Sequence, residues 1–352
     1  MRLIVPLVLL LLAAGAGFWW FHDEPVELVD AAGRTLTAGT SASVRAEGSA
    51  PDELARARDL REAGDLDATR TELLAVLERS ERDGETCLLL SEVAFERRDA
   101  DEAVEYGEKA VALQPDSAPA HHALADGLAL EMMTGGILGA MKTLPRWKAT
   151  IERTLELDPA HVEAQMALIG YYLFTPGLGD PERALELART LETSDWTRGK
   201  VMQAHALRKL DDPEAAEALC RAALAERPQA RELHLALAAF RIQDERIPEA
   251  DGEYEAAKAG EKDETYYQAL YGQAELRREH DFEPERALAL CDEYLAAKPR
   301  GDWLPSLARA HCLRGALLEQ LERPSEARVA YEEALRLQPE METATEALER
   351  LR

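Results

Sequence analysis

Prolines recur in pairs with one fixed spacing along the C-terminal half of this sequence. The pairs are Pro213 with Pro228, Pro284 with Pro299, and Pro324 with Pro339. Proline is tolerated at the first position of a helix, where its missing N–H needs no partner, and just beyond a helix end. Each pair therefore predicts one helix of about fourteen residues. A helix that recurs with the same length and boundaries predicts a repeat protein rather than a single globular core.

The charge balance limits the ligands of such a protein. The 352 residues include 67 acidic and 41 basic side chains, which gives a formal net charge of −26. A negative field of this strength argues against DNA, RNA or anionic lipid as the main ligand of the soluble part. Two interpretations stay open: a charged surface that keeps the chain in solution, or an acidic surface that attracts a basic partner.

The N-terminus differs in kind from the rest of the chain. Residues 3–21 are uncharged and mostly apolar, and they end in a cluster of four aromatic residues. As a helix this run spans about 28 Å, close to the hydrocarbon thickness of a bilayer. Arg2 precedes it and four acidic residues follow, so the positive-inside rule predicts a cytoplasmic N-terminus. We therefore expect a membrane helix over residues 1–22. The alternative is a signal peptide that is cleaved at Ala14-Gly15-Ala16.

Residues 23–50 are rich in small and polar residues and predict a flexible linker, with a small hairpin as the alternative. Helix-period patterning then continues from Leu54 to the end of the chain. It predicts a helical solenoid over residues 51–340 and a short closing helix over residues 341–352.

Small residues and prolines share one register in the strongest unit, residues 308–339. Gly315, Ala327, Tyr331, Ala334 and Pro339 mark it, and the same spacing of alanines recurs near residues 103, 216 and 250. This unit resembles the tetratricopeptide repeat, a helix–turn–helix unit of about 34 residues. The resemblance implies an all-α, right-handed solenoid of about eight helical hairpins. We expect the units to lie at residues 50–82, 83–116, 117–159, 160–196, 197–229, 230–263, 264–300 and 301–340.

Two neighbouring units depart from this length. Unit 117–159 is about ten residues longer than the usual 34, with a Met- and Gly-rich stretch, residues 132–141, between its helices. Unit 160–196 has a longer turn at residues 174–180. We expect a helical insertion over about residues 131–145, for which two roles stay open. It fills space beside the neighbouring turn, or it binds partners through its adaptable methionines.

Residues that carry chemistry are scattered. The four cysteines form no C-x-x-C, and their repeat positions predict free, mostly buried thiols. The eight histidines are scattered and form no H-E-x-x-H motif. The sequence therefore predicts no catalytic residue, no metal site and no cofactor.

The resemblance implies that the first helix of each hairpin lines a concave groove. Carried over by repeat position, the predicted groove residues are Arg198, His205, Arg208, Leu235, Tyr266, Gln273 and Arg309. An apolar floor with an aromatic side chain and a few cations suits an extended peptide or a partner helix. Arg198 and Arg208 either grip a ligand carboxylate or form salt bridges with neighbouring acids.

The function that we expect is a non-catalytic scaffold or adaptor that binds polypeptide partners in this groove and binds no nucleic acid. Membrane-anchored bacterial repeat proteins have a similar layout. This similarity implies an inner-membrane protein whose solenoid lies in the periplasm and serves envelope assembly or biogenesis. After signal cleavage the same chain would be soluble in the periplasm. Two other functions stay open: a solenoid that assembles into homo-oligomers, and an enzyme with a site near residues 130–145.

Overall fold

Every described residue of this chain lies in a helix or in a connection between helices. The computed structural model describes residues 50–80, 83–301 and 304–351, which form seventeen helices and no strand. The prediction of an all-α fold is confirmed. The predicted membrane helix and the predicted linker up to residue 49 lie outside the described residues. Among the helices that are described, none is both long enough and apolar enough to cross a bilayer.

The helices follow one another as eight pairs and a last single helix. In chain order they are α1 Ala50–Glu62, α2 Leu66–Arg79, α3 Gly84–Glu96, α4 Ala100–Leu113, α5 Ala118–Thr134, α6 Gly136–Leu157, α7 Val162–Phe174, α8 Pro181–Ser194, α9 Trp196–Lys209, α10 Pro213–Glu226, α11 Glu232–Gln243, α12 Ile247–Ala257, α13 Glu264–Glu279, α14 Pro284–Ala297, α15 Leu307–Gln320, α16 Pro324–Leu337 and α17 Glu342–Arg350. The chain divides into two compact units, with described residues 50–169 in one and 170–351 in the other.

The paired prolines bound second helices of these hairpins. α10, α14 and α16 each begin at the first proline of a pair and contain 14 residues. Each ends two residues before the second proline. The predicted length and boundaries of these helices are confirmed.

Aspartate caps seven of the seventeen described helices. The side chains of Asp65, Asp99, Asp195, Asp212 and Asp263 each accept a hydrogen bond from a backbone N–H in the first turn of the next helix. A cap of this kind contributes about 1 kcal/mol, and the negative charge also interacts favourably with the helix dipole. Part of the acidic excess of the chain is therefore used to begin its helices.

In the unit of residues 50–169, each helix from α1 to α5 contacts the next one, and α3 also contacts α5. Their shared core includes Leu73, Leu90, Val93 and Tyr106. At Gly107 a Cβ atom would lie 2.8 Å from the Cα of Leu124. The backbones of α4 and α5 therefore approach each other so closely that only glycine fits between them.

The predicted insertion of this unit lengthens two helices instead of forming a loop between them. α5 has 17 residues and α6 has 22, and they are separated only at Gly135. Gly136 has φ +62°, a left-handed conformation that glycine adopts without strain. We name residues 133–142, where the two helices meet, the hairpin tip. None of its residues is buried.

In the unit of residues 170–351, each helix from α8 to α16 contacts the next one. Alanines at the helix crossings are fully buried, among them Ala216, Ala250, Ala287 and Ala327. A Cβ atom on Gly315 would lie 2.6 Å from the ring of Tyr331, so the small residue makes room for the aromatic one. α17 closes the stack, with Ala344 and Ala347 buried in the same core.

Candidate functional site

The first helices of successive hairpins form a continuous surface in the unit of residues 170–351. α9 contacts α11, α11 contacts α13, and α13 contacts α15. We name this surface the first-helix face. Its side chains that are neither buried nor fully exposed include Arg198, His205, Arg208, Leu235, Ala239, Ile242, Tyr266, Glu275, Arg278, Arg309, Cys312 and Glu319. The face is therefore open to a ligand while the helices behind it are packed.

His205 lies in an aromatic setting at the α9 end of the face. Its ring packs edge-on against Phe240, with the ring centroids 5.1 Å apart, and against Phe174 at 6.4 Å. Burial lowers the pKa of His205 to about 4, and the nearby charges of Lys209 and Arg208 act in the same direction. His205 is therefore neutral at physiological pH and acts as a polar ring rather than as a cation.

The arginines of α9 are bound to neighbouring acids. The guanidinium of Arg208 donates to Asp244 at 2.8 and 3.0 Å and to Gln243 at 3.1 Å, and it lies over the ring of Phe240. Hydrogen bonding to Arg208 lowers the pKa of Asp244. Arg198 lies 3.5 Å from Asp195. For both arginines, the structure shows the predicted salt bridges with neighbouring acids. The bridge from Arg208 joins the first helices of two successive hairpins.

The middle of the face is apolar. Leu235, Ala239 and Ile242 of α11 are partly exposed there, while Leu233 and Leu237 of the same helix are buried in the core. The structure thus places Leu235 where the repeat register predicts it.

The structure corrects the predicted register of α13. Gln273 is 0% exposed and its amide donates to Asp251 Oδ1 at 3.0 Å, so it packs against α12 instead of facing a groove. The Tyr266 hydroxyl donates to Glu293 on α14 at 2.6 Å. Glu275 and Arg278, further along the same helix, are partly exposed, as is Tyr266.

Arg309 joins α15 to the corrected α13 positions. Its side chain hydrogen-bonds to the hydroxyl of Tyr271 and interacts electrostatically with Glu275. Burial raises the pKa of Glu275, and the charge of Arg309 opposes that rise. Glu275 is a residue of the face that the repeat register did not predict, whereas Tyr271 is buried in the core behind it.

The described residues include no group of three or more His, Cys, Asp or Glu side chains that could hold a metal ion. All four cysteines are free; Cys87, Cys220 and Cys291 are buried and Cys312 is partly exposed. Burial raises the pKa values of Cys220 and Cys291 to about 12, which leaves both thiols protonated and unreactive.

Two segments of the chain match family models of the tetratricopeptide repeat. One match covers residues 54–118 and the other covers residues 308–341. Both segments are tetratricopeptide repeats. They include α1 to α4 near one end of the described chain and the α15–α16 hairpin near the other. None of the curated proteins matches the sequence significantly.

Solved structures of similar fold have low sequence identity to this chain. A tetratricopeptide repeat protein from Parabacteroides merdae is 13% identical, has a TM-score of 0.48, and aligns over 86% of this chain and 98% of its own. A thermophilic repeat protein of Thermus thermophilus is 17% identical, has a TM-score of 0.42, and aligns over 55% and 98%. A chain of the APC/C hetero-tetramer Cut9–Hcn1 is 13% identical with a TM-score of 0.43. The alignment covers 86% of this chain but 56% of that one.

Proposed function

We propose that this protein is a non-catalytic scaffold that binds a polypeptide partner along the first-helix face of residues 196–320. The observation that carries the proposal is the row of contacting first helices, α9, α11, α13 and α15, with partly exposed side chains. The tetratricopeptide repeats support it, because this repeat is commonly used to bind other proteins. A polypeptide laid along such a row meets several repeats at once, which multiplies weak contacts.

The chemistry of the face favours a segment with apolar side chains at its centre. Leu235, Ala239 and Ile242 offer a desolvated contact area at the middle of the row. Arg208 at one side and Arg309 at the other are held in place by neighbouring groups, so they orient a ligand without being newly ordered. A partner helix or extended segment with central apolar residues and flanking acceptors fits this pattern.

Photo-crosslinking from the centre of the face tests this proposal. p-Benzoylphenylalanine in place of Ala239 in the full chain, irradiated in cells, is expected to capture a polypeptide that mass spectrometry identifies. Leu235→Glu in the same chain places a charge one helical turn away and is expected to reduce the captured fraction about tenfold, the loss of about 1.4 kcal/mol of binding.

The control is p-benzoylphenylalanine in place of Val329, an exposed apolar residue of the second helix α16. The same partner captured equally from both positions, or capture that is insensitive to Leu235→Glu, contradicts the proposal. A crosslinked product with twice the mass of the chain supports a homo-oligomer instead of a separate partner.

We also propose that residues 1–22 hold the chain in a bacterial inner membrane with its repeats in the periplasm, where it serves envelope assembly. The apolar run of residues 3–21 and the acids after it are the support for this location. A reporter that is active only after export, fused behind Arg352, is expected to be active. Activity of a cytoplasm-dependent reporter at the same junction contradicts this topology.

A further inference from the structure

Three of the large hydrophobic side chains that the described surface exposes lie together at the hairpin tip. Leu138 is 83% exposed, Met141 is 68% exposed and Met133 is 37% exposed. α6 has 22 residues where the second helices α2 and α4 of the same unit have 14. The eight additional residues lengthen the helix by about 12 Å. Large apolar side chains that are exposed together on a protein surface mark an interaction site.

Basic residues lie around the tip although the chain as a whole is acidic, and the acid beside them is Glu131, which accepts a hydrogen bond from Thr143 at 3.3 Å. From Met132 to Ile151 the chain has no acidic residue, and it has three basic ones, Lys142, Arg146 and Lys148. Arg146 pairs with Glu108 and Lys148 pairs with Glu152. Lys142 is exposed, one residue after Met141, and forms no ion pair within the described part of the chain. Charges more than about 8 Å away are screened at physiological salt, so a surface at the tip meets this local basic charge.

We propose that the hairpin tip docks at the surface of a bilayer that contains anionic lipid, with Leu138 and Met141 in the interface and Lys142 at the headgroups. Exposed apolar side chains next to basic ones on one helix are the pattern of interfacial membrane helices. The tip has no buried residue, so its apolar side chains are accessible to a flat surface. One weak signal gives only reversible membrane binding. The apolar run of residues 3–21 supplies a second signal on the same chain.

Lipid photo-crosslinking from the tip tests this proposal. The full chain carries p-benzoylphenylalanine in place of Leu138 and is reconstituted into vesicles of phosphatidylcholine with phosphatidylglycerol. The matched control carries the probe in place of Glu156, whose side chain is 65% exposed at the other end of α6. We expect lipid adducts from position 138 to exceed those from position 156 about tenfold. Mass spectrometry of the adducts measures the ratio.

The charge dependence separates docking from mere proximity to the vesicle. Lys142→Glu is expected to lower the adduct yield from position 138 several-fold in anionic vesicles, as is about 0.5 M NaCl. Circular dichroism verifies that each variant keeps its helices. Equal yields from positions 138 and 156 overturn the proposal. Protein adducts in place of lipid adducts from position 138 in cells also overturn it, since they identify the tip as a protein interface.

Discussion

A single histidine on the first-helix face makes the stability of the protein depend on pH. His205 packs between Phe174 and Phe240, and burial lowers its pKa from 6.5 to about 4. Below about pH 6.5 the imidazole of His205 binds a proton in the unfolded chain, whereas in the folded protein it stays neutral down to about pH 4. The free energy of unfolding therefore falls as the pH falls from about 6.5 towards 4, and above this window His205 contributes no pH dependence.

Replacement of this histidine is expected to remove that part of the pH dependence. Between pH 7 and pH 5 the wild-type protein should lose about 2 kcal/mol more stability than His205→Phe, which keeps an aromatic ring at the site. Urea unfolding of both proteins at the two pH values measures the difference. His280→Phe is the control, because this histidine is exposed at the end of α13, away from the cluster. A wild-type pH profile that His205→Phe leaves unchanged contradicts the assignment.

The turns inside the hairpins carry backbone strain that glycine would relieve. Most of these turns place a left-handed residue just after the first helix: Gly64, Arg98, Asp211, Glu245, Asp281 and Glu322. After that residue a backbone bond runs back to the helix, as from Arg323 N to Leu318 O. Glycine is the residue that normally ends a helix in this way, yet only the first of these turns has one. The left-handed conformation could not be predicted from the sequence, because charged residues, and not glycine, occupy five of the six positions.

Glu322→Gly is therefore expected to stabilise the protein. Glu322 has φ +57°, and a side chain in this conformation costs about 1 kcal/mol. The midpoint of thermal unfolding should rise by a few degrees, as about 1 kcal/mol does in a unit of this size. Glu322→Ala is the matched control, because it removes the same charge but keeps the Cβ atom. Equal midpoints for the two variants would show that charge, and not conformation, is responsible.

Close approach of two helices makes another glycine indispensable. A Cβ atom on Gly199 of α9 would collide with the backbone of Glu192 on α8, whereas a Cβ atom on Gly252 of α12 would meet no atom within 4 Å. Gly199→Ala is expected to destabilise the protein by about 2 kcal/mol through overpacking. Gly252→Ala should stabilise it by about 0.8 kcal/mol, because alanine favours the helix. Chemical unfolding of the two variants gives opposite signs, and equal signs would contradict this packing.

The same element-level geometry explains how far the sequence predicted the first-helix face. The turns after α9 and α11 have three residues each, and Arg208 and Leu235 are partly exposed at the positions that the repeat register gives them. α13 has 16 residues and a four-residue turn. In consequence Ala274, and not Gly272, lies in the core beside Ala287, while a Cβ atom on Gly272 would meet Tyr254 of the preceding hairpin. Gln273, which the repeat register predicts in the groove, is therefore buried, whereas Tyr266 stays partly exposed.

At the scale of the molecule, the regular helices were predictable and the exceptions were not. Prolines at fixed spacing mark the ends of helices, and alanines at fixed spacing mark the places where the two helices of a hairpin cross. Within each unit, the contacts join helices that are one or two apart in the chain. A local pattern therefore suffices for helix boundaries. The path of the residues between Met132 and Met141 depends on where Gly136 bends the backbone. The sequence predicted a helical insertion there, but not that it would lengthen both helices of the hairpin.

The excess of 26 acidic charges predicts that added salt stabilises the repeats. Exposed ion pairs such as Arg58–Glu85 and Arg153–Glu156 weaken in salt, but each contributes only about 0–1 kcal/mol. Repulsion among the unpaired acids acts over the whole surface and is relieved by the same screening. We expect the thermal unfolding midpoint to rise by a few degrees up to about 0.3 M NaCl, where the Debye length is already shorter than the spacing of most charges. Scanning calorimetry in NaCl and in KCl measures it. A midpoint that falls with added salt would mean that the ion pairs outweigh the repulsion. A midpoint that keeps rising above about 0.3 M, by different amounts in NaCl and KCl, would indicate specific ion binding instead.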